Sequence, residues 1–150
     1  MSRIILLDAS PLGIVSNPRF SPQSLACHQW AKERLATGAQ IVIPEIADYE
    51  VRRELLRANK THSLARLNAL KSALGYLPIT TNVMLRAAEL WAQARNMGKP
   101  TASDQALDAD MILAAQAALL IDDGDSVIVA TTNVSHLGLF VPAAHWQEIT

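Results

Sequence analysis

The stretch that most constrains this chain is Arg3 to Ser10, RIILLDAS, where four apolar residues, Ile4 to Leu7, run straight into a carboxylate, Asp8. A short β-branched run close to the N-terminus reads as a central strand of a parallel sheet, apolar on both faces because helices cover both. An acid cannot sit inside such a strand. At its C-terminal end it lies where open α/β sheets place their ligands, in the crevice beyond the strand tips. Asp8 is therefore a candidate for chemistry. It is equally a candidate cap for the helix that follows, with Ser10 as a competing cap and Pro11 as the first helical residue.

The remainder alternates strand-like and helix-like segments. Ser21 and Pro22 open a helix that runs to about Thr37 and ends at Gly38. Gln40 to Ile43 is a second strand, stopped by Pro44. Ile46, Tyr49, Val51 and Leu55 then recur in a helical rhythm, which puts Glu50 within two turns of the second strand tip. Thr61 caps another helix, with Leu64, Leu67, Leu70 and Leu74 as its buried stripe and Gly75 as its stop. Tyr76 to Ile79 is a third strand. Val83, Ala87, Leu90, Trp91, Ala94 and Met97 mark a helix closed by Gly98. Ser103 or Asp104 caps an alanine-rich helix, the acidic turn of residues 122–125 follows, and strands are expected at Ser126 to Thr131 and around His145 to Ile149. The pattern predicts one domain over residues 1–150, a three-layer α/β/α fold with a mostly parallel sheet of about five strands.

Composition narrows the function classes. Half the residues are hydrophobic and 18% are charged, as in a compact globule. With 13 Lys plus Arg against 14 Asp plus Glu, the net charge is -1, so any nucleic-acid contact requires a local patch. Arg52, Arg53, Arg57, Lys60, Arg66 and Lys71 supply a candidate patch, with Glu54 the only acid among them and no aromatic residues interleaved. The single Cys27 falls in a helical pattern, where a small buried thiol is expected. No apolar run is long enough to cross a bilayer and the opening segment is too short for a secretory signal, so a cytoplasmic protein with no membrane association is expected.

Three acids have no obvious home on a solvated face. Asp8 ends a buried strand, Glu50 sits near the start of the helix after the second strand, and Asp110 sits in DADMILAAQA with Leu113 and Ala114 one turn on. An ionised carboxylate facing an apolar surface is costly unless a partner or a metal compensates it. If the helices pack beside the first strand, all three converge at one end of the sheet. Hard oxygen donors without Cys or paired His suit Mg2+ or Mn2+ rather than zinc, and point to metal-assisted phosphodiester hydrolysis. The alternative for Glu50 is an exposed ion pair with Arg53.

On these residues the chain resembles the PIN-domain proteins, the nuclease family that includes the VapC-type toxins of toxin-antitoxin pairs. LLDAS supplies Asp8, IPEIADYEVRREL supplies Glu50, DMILAAQA supplies Asp110 and VATTNVSHL supplies Asn133, in the family's order along nearly the whole chain. The resemblance implies a metal-dependent endoribonuclease acting on single-stranded RNA, its acidic cluster holding one or two Mg2+ or Mn2+ ions. It also implies helical surfaces used for a dimer or for an antitoxin protein. Asn133 stands where many relatives carry an acid, which removes one negative charge while leaving a side chain able to orient a water or a phosphate oxygen.

Asp104, Asp108 and Asp110 cannot all reach one metal from a regular helix, because Asp110 points roughly 200° round from Asp108. Asp110 is assigned to the site, Asp108 is kept as a second acid near the helix start, and Asp104 is read as a cap. Ser10, Thr131 and Arg53 are candidate substrate contacts, and His136 is a half-buried structural histidine or a proton shuttle. Two other enzyme classes fit less well. Aspartyl-phosphate phosphatases want a second Asp where this chain has Ser10, and neither glycine-rich nucleotide motif occurs. A catalytically weak PIN-like protein that binds RNA or a protein is the competing reading outside enzymology.

Overall fold

The computed structural model describes residues 2–97 and 104–150, with side chains described again from Leu107 onward. Strand β1, Arg3–Leu7, is fully enclosed from Ile5 onward because it is the middle strand of the sheet. It pairs in parallel with β2, Gln40–Pro44, on one side and with β4, Ser126–Ala130, on the other. Strand β3, Gly75–Leu77, flanks β2, and β5, Ala143–Ala144, flanks β4, giving the order β3-β2-β1-β4-β5 with every pairing parallel. The chain thus builds outward from β1 in one direction, then returns to its other side. That reversal makes the β1/β4 junction a topological switch point, the place where open α/β sheets bind their ligands.

The alternation of side chains along β1 divides the interior in two. Ile5 and Leu7 belong to a core with Leu12, Cys27, Trp30, Ile41, Ile43 and Leu67, built from α1 (Ala9–Ser16), α2 (Pro22–Ala36) and α4 (Thr61–Ala73). Leu6 points to the opposite core with Val83, Leu90, Met111, Leu113 and Val129, under α5 (Thr81–Asn96) and α6 (Asp104–Asp122). Helix α3, Glu45–Arg57, sends Ile46 to one core and Ala47 to the other. It therefore bridges the two faces at the strand tips. The expected three-layer α/β/α architecture is present, and its five described strands are all parallel. No helix among the described residues is long and apolar enough to cross a membrane.

Several local expectations are revised. Asp8 rather than Ser10 caps α1, and Pro11 lies in the first turn instead of opening it. Lys60 occupies the cap position of α4 without a side-chain bond, so Thr61 is the first helical residue and not the cap. Gly75 does not stop α4; Leu74 ends that helix and Gly75 starts β3, where a Cβ would come within 3.0 Å of Val42 Cγ2. The third strand stops at Leu77 because the Ile79 amide donates to Glu45 Oε1 at 2.6 Å instead of to a neighbouring strand. Residues His145 to Ile149 form a short 3-10 turn, Trp146–Glu148, rather than a strand. There Trp146 packs on Trp30 with ring centroids 5.8 Å apart, and the Trp30 indole donates to the Ile149 carbonyl at 2.8 Å. Tyr49 and Met97, on apolar stripes in the sequence, are exposed. Gly98, Ser103 and the side chain of Asp104 lie outside the described residues, and with them the expected helix stop and caps.

One unanticipated element is α7, Val134–Leu137, a single turn that follows β4. Gly138 ends it, and a Cβ there would stand 2.6 Å from the Val134 carbonyl oxygen. Gly138→Ala is expected to lower stability by about 1–3 kcal/mol through backbone displacement, measured by urea denaturation. An unchanged midpoint would show that α7 yields freely.

Candidate active site

The register of the central pair brings the site together. Leu7 pairs with Ala130, so the next residues, Asp8 and Thr131, emerge side by side at the switch point. Asp8 divides its carboxylate between two tasks. Oδ1 accepts from the Ala9 amide at 2.7 Å, capping α1, while Oδ2 accepts from the Thr131 hydroxyl at 2.7 Å. The two sequence readings of Asp8, cap and site, are therefore compatible. Thr131 is buried, and its Oγ1 also accepts from the Asn133 amide at 2.9 Å. Asn133 in turn donates Nδ2 to Asp110 Oδ2 at 2.9 Å. A continuous hydrogen-bonded path thus joins Asp8 to Asp110 through neutral groups.

Asp110 lies on the buried side of α6, its carboxyl 3.9 Å from His136 Nε2. Burial and the charge of Asp8 raise its pKa to about 6, against the opposing pull of His136 and the Asn133 hydrogen bond. Glu50 belongs to the same electrostatic group. Its pKa is raised by burial and by the charges of Asp8 and Asp110, with Arg53 acting in the opposite sense. No Glu50–Arg53 ion pair forms; the Arg53 guanidinium lies over the Tyr49 ring, 5.1 Å from its centroid. Among the described residues, no three His, Cys, Asp or Glu side chains are grouped closely enough to hold a metal ion as they stand. The charge of Asp8 nonetheless reaches both Glu50 and Asp110.

A family model of the PIN domain matches residues 25–133, more than half of the chain. This chain belongs to the PIN-domain family. The match contains Glu50, Asp110 and Asn133; Asp8 lies before it and joins them through the fold. No curated protein matches the sequence. The PIN domain is similar in structure to a chain of VapBC2 from Rickettsia felis, solved bound to a DNA fragment from its promoter, with a TM-score of 0.70 at 16% identity, covering 95% of this chain and 98% of that one. It is similarly close to VapBC-1 from nontypeable Haemophilus influenzae, with a TM-score of 0.68 at 16% identity, covering 97% and 99% of the two chains. DNA-bound VapBC from Salmonella typhimurium gives a TM-score of 0.66 at 17% identity, with the same coverage. At these identities the likeness establishes the fold.

The other sequence candidates are placed as follows in this PIN domain. Asp108 is exposed and faces a groove with Met84, Trp91 and Met111 on the α5 side, away from the path that holds Asp110. Ser10 lies half-buried in the first turn of α1, next to the Asp8 cap. His136 is buried and meets Phe140 edge-on at 6.2 Å, so it is held by the core as well as facing Asp110. Two acids escaped the sequence reading. Asp48 is buried and takes two hydrogen bonds from Arg52 at 3.0 Å, while Glu45 anchors Ile79, both organising α3 beneath Glu50. The i,i+4 spacing of Asp48 and Arg52 was the available signal.

A raised carboxyl pKa is a stability cost at neutral pH. Between about pH 4 and pH 6 the native state holds the Asp110 proton that the unfolded chain has released, so stability falls as pH rises through that window. Asp110→Asn is therefore expected to stabilise the metal-free protein at pH 7, by on the order of 1–2 kcal/mol once solvent screening is allowed for. The gain should vanish by about pH 4. Thermal melting of both proteins across that range checks the sign; a destabilised variant at pH 7 would overturn it.

Proposed function

We propose that this PIN domain is a Mg2+- or Mn2+-dependent endoribonuclease that hydrolyses phosphodiester bonds of single-stranded RNA, and that it acts as the VapC-type toxin of a toxin-antitoxin pair. The observation that carries this reading is the convergence of Asp8, Glu50 and Asp110 at the switch point, where two of the acids are destabilised as anions and the charge of Asp8 contributes to both shifts. Such a group gains most from a divalent cation. The donor set fits one in chemistry: hard carboxylate oxygens, with an amide beside them and no soft ligand in the group. Each Asp8 oxygen already accepts one hydrogen bond and retains a second lone pair for a cation.

Asp8 and Asp110, with Glu50, are the residues that would hold the ion, and Asn133 and Thr131 fix their orientation. Asp108 enters only if α6 moves. A bound cation would supply charge neutralisation at the phosphate and a more acidic water. Around it, the chain's own residues do the positioning. Thr131 holds Asp8 at the tip of β1, Asn133 holds Asp110, and His136 sets the field at the Asp110 carboxylate. Ser10 and Arg53 flank the crevice as contacts for the RNA backbone. The VapBC neighbours support an antitoxin partner, and the apolar groove along α5 and α6 is a surface available for a dimer.

The test is cleavage of mixed single-stranded RNA by the purified chain with Mn2+, Mg2+ or EDTA, beside Asp8→Asn and Asp110→Asn. Cleavage should require the metal and fall at least a hundredfold in both variants. Metal-independent cleavage, or full activity without Asp8, would refute the assignment.

The binding-protein alternative draws on one specific contact. An acid at position 133 would face Asp110 across the present 2.9 Å hydrogen bond and require a cation between them; Asn133 satisfies Asp110 without one. Asn133→Asp is thus expected to tighten Mn2+ binding about tenfold and raise the Asp110 pKa in the metal-free protein, read by calorimetric titration and by NMR. Wild-type protein that binds RNA and Mn2+ without turnover, while Asn133→Asp cleaves, would favour the binding role.

A further inference from the structure

The two helices that carry Asp8 and Glu50 also lead away from them to a common place. From Asp8 along α1 to Ser16, and from Glu50 along α3 to Leu55, is about 8–12 Å at the helical rise. Both helices end at a groove of about 400 Å³, completed by residues 17–19 and the start of α4. Arg19, Lys60 and His62 line it, all exposed, and no acid does.

Three features of this groove suit a phosphate. The α4 N-terminus lacks a side-chain cap, so the His62 and Ser63 amides are left for another acceptor. Ser63, only 8% exposed, lines the groove beside these amides. Arg19 and Lys60 supply charge on either side of it.

The next residue along the loop is Phe20, 73% exposed. It borders a second concavity of about 240 Å³ with His28, Lys32 and Arg66, again without an acid. The potential there is positive enough that Arg66 and Lys32, after burial, lower the pKa of His28. The Phe20 ring stands between two hollows lined by cations, with the exposed Leu25 beside it. It is a good platform for a base, since every base presents a π-face and stacking tolerates any sequence.

We propose that residues 17–20 and the α4 N-terminus form a single-stranded nucleic-acid track, in which a backbone phosphate sits against Arg19, Lys60 and Ser63 and an adjacent base stacks on Phe20. The track rests on the RNA-nuclease reading and deepens it. It places a second anchoring point a few nucleotides from the carboxylates.

Fluorescence anisotropy of a labelled single-stranded RNA, in Ca2+ to suppress cleavage, tests it on the full chain. Phe20→Ala should weaken binding about tenfold and Phe20→Trp should not. The Arg19→Ala/Lys60→Ala pair should weaken it and flatten the dependence of log affinity on log salt by about one to two. All three positions are exposed, and circular dichroism melts should match wild type. Unchanged RNA affinity in these variants overturns the track, whether inorganic phosphate binds the groove alone or Phe20 contacts a protein. The two readings fail separately. Metal-dependent RNA cleavage with unaffected variants leaves the nuclease and removes the track; weakened binding in the variants of a chain that cleaves nothing leaves the track and removes the nuclease.

Discussion

The hydrogen-bonded path from Asp8 through Thr131 and Asn133 to Asp110 is the constraint on which the rest of the site depends. Two acids of like charge are brought together by the parallel pairing of β1 with β4 and the packing of α6 beside them. Burial first and the neighbouring Asp8 charge second work against the Asp110 anion, a conflict that raises its pKa. Neutral donors relieve part of it. Thr131 and Asn133 give each acid a hydrogen bond without adding charge, so the metal-free chain keeps its geometry while the negative potential that attracts a cation persists.

The sheet order explains why this pair of residues, and not another, meets at the crevice. Because β1 is central and the chain reverses direction around it, the tips of β1 and β4 face a gap that no crossover covers. Helix α3 then crosses the same end with Ile46 and Ala47 anchored in opposite cores, and Glu50 follows within one turn on its outward side. The buried Asp48–Arg52 pair and the Glu45 bond to Ile79 lock the helix in that position. These acids contribute structure so that their neighbour can remain unpaired with Arg53.

What was legible in the sequence follows a physical division. β1 and the acids at its tip could be read because a doubly buried strand needs an uninterrupted apolar run and expels charge to its ends. The separation of Asp108 from Asp110 could be read because a helix fixes the angle between them. The α4 start, the β3 boundary and the final segment could not, since each is decided at a distance. Lys60 stands at a cap because the chain turns through Asn59 at positive φ. Residues 145–149 leave the sheet because Trp146 and the Ile149 carbonyl find Trp30 on α2. α7 was missed for the same reason: one turn carries no period, and its role is to set Asn133 and His136 around Asp110.

The cationic residues show how far composition misleads about surfaces. Read along the chain, the basic run from Arg52 to Lys71 is a patch. In three dimensions Arg52 is held by buried Asp48 and Arg57 by Glu54, whereas Arg66 lines the hollow beside Phe20. Charge already satisfied by an internal partner exerts little field on a ligand. The cations that line the two grooves come from separate segments, Arg19 from the loop after α1, Lys32 from α2, and Lys60 and Arg66 from within that basic run, and only folding brings them to the same side as Phe20. A groove of that kind has no sequence signature, because its potential arises from residues whose common feature is having no acid beside them.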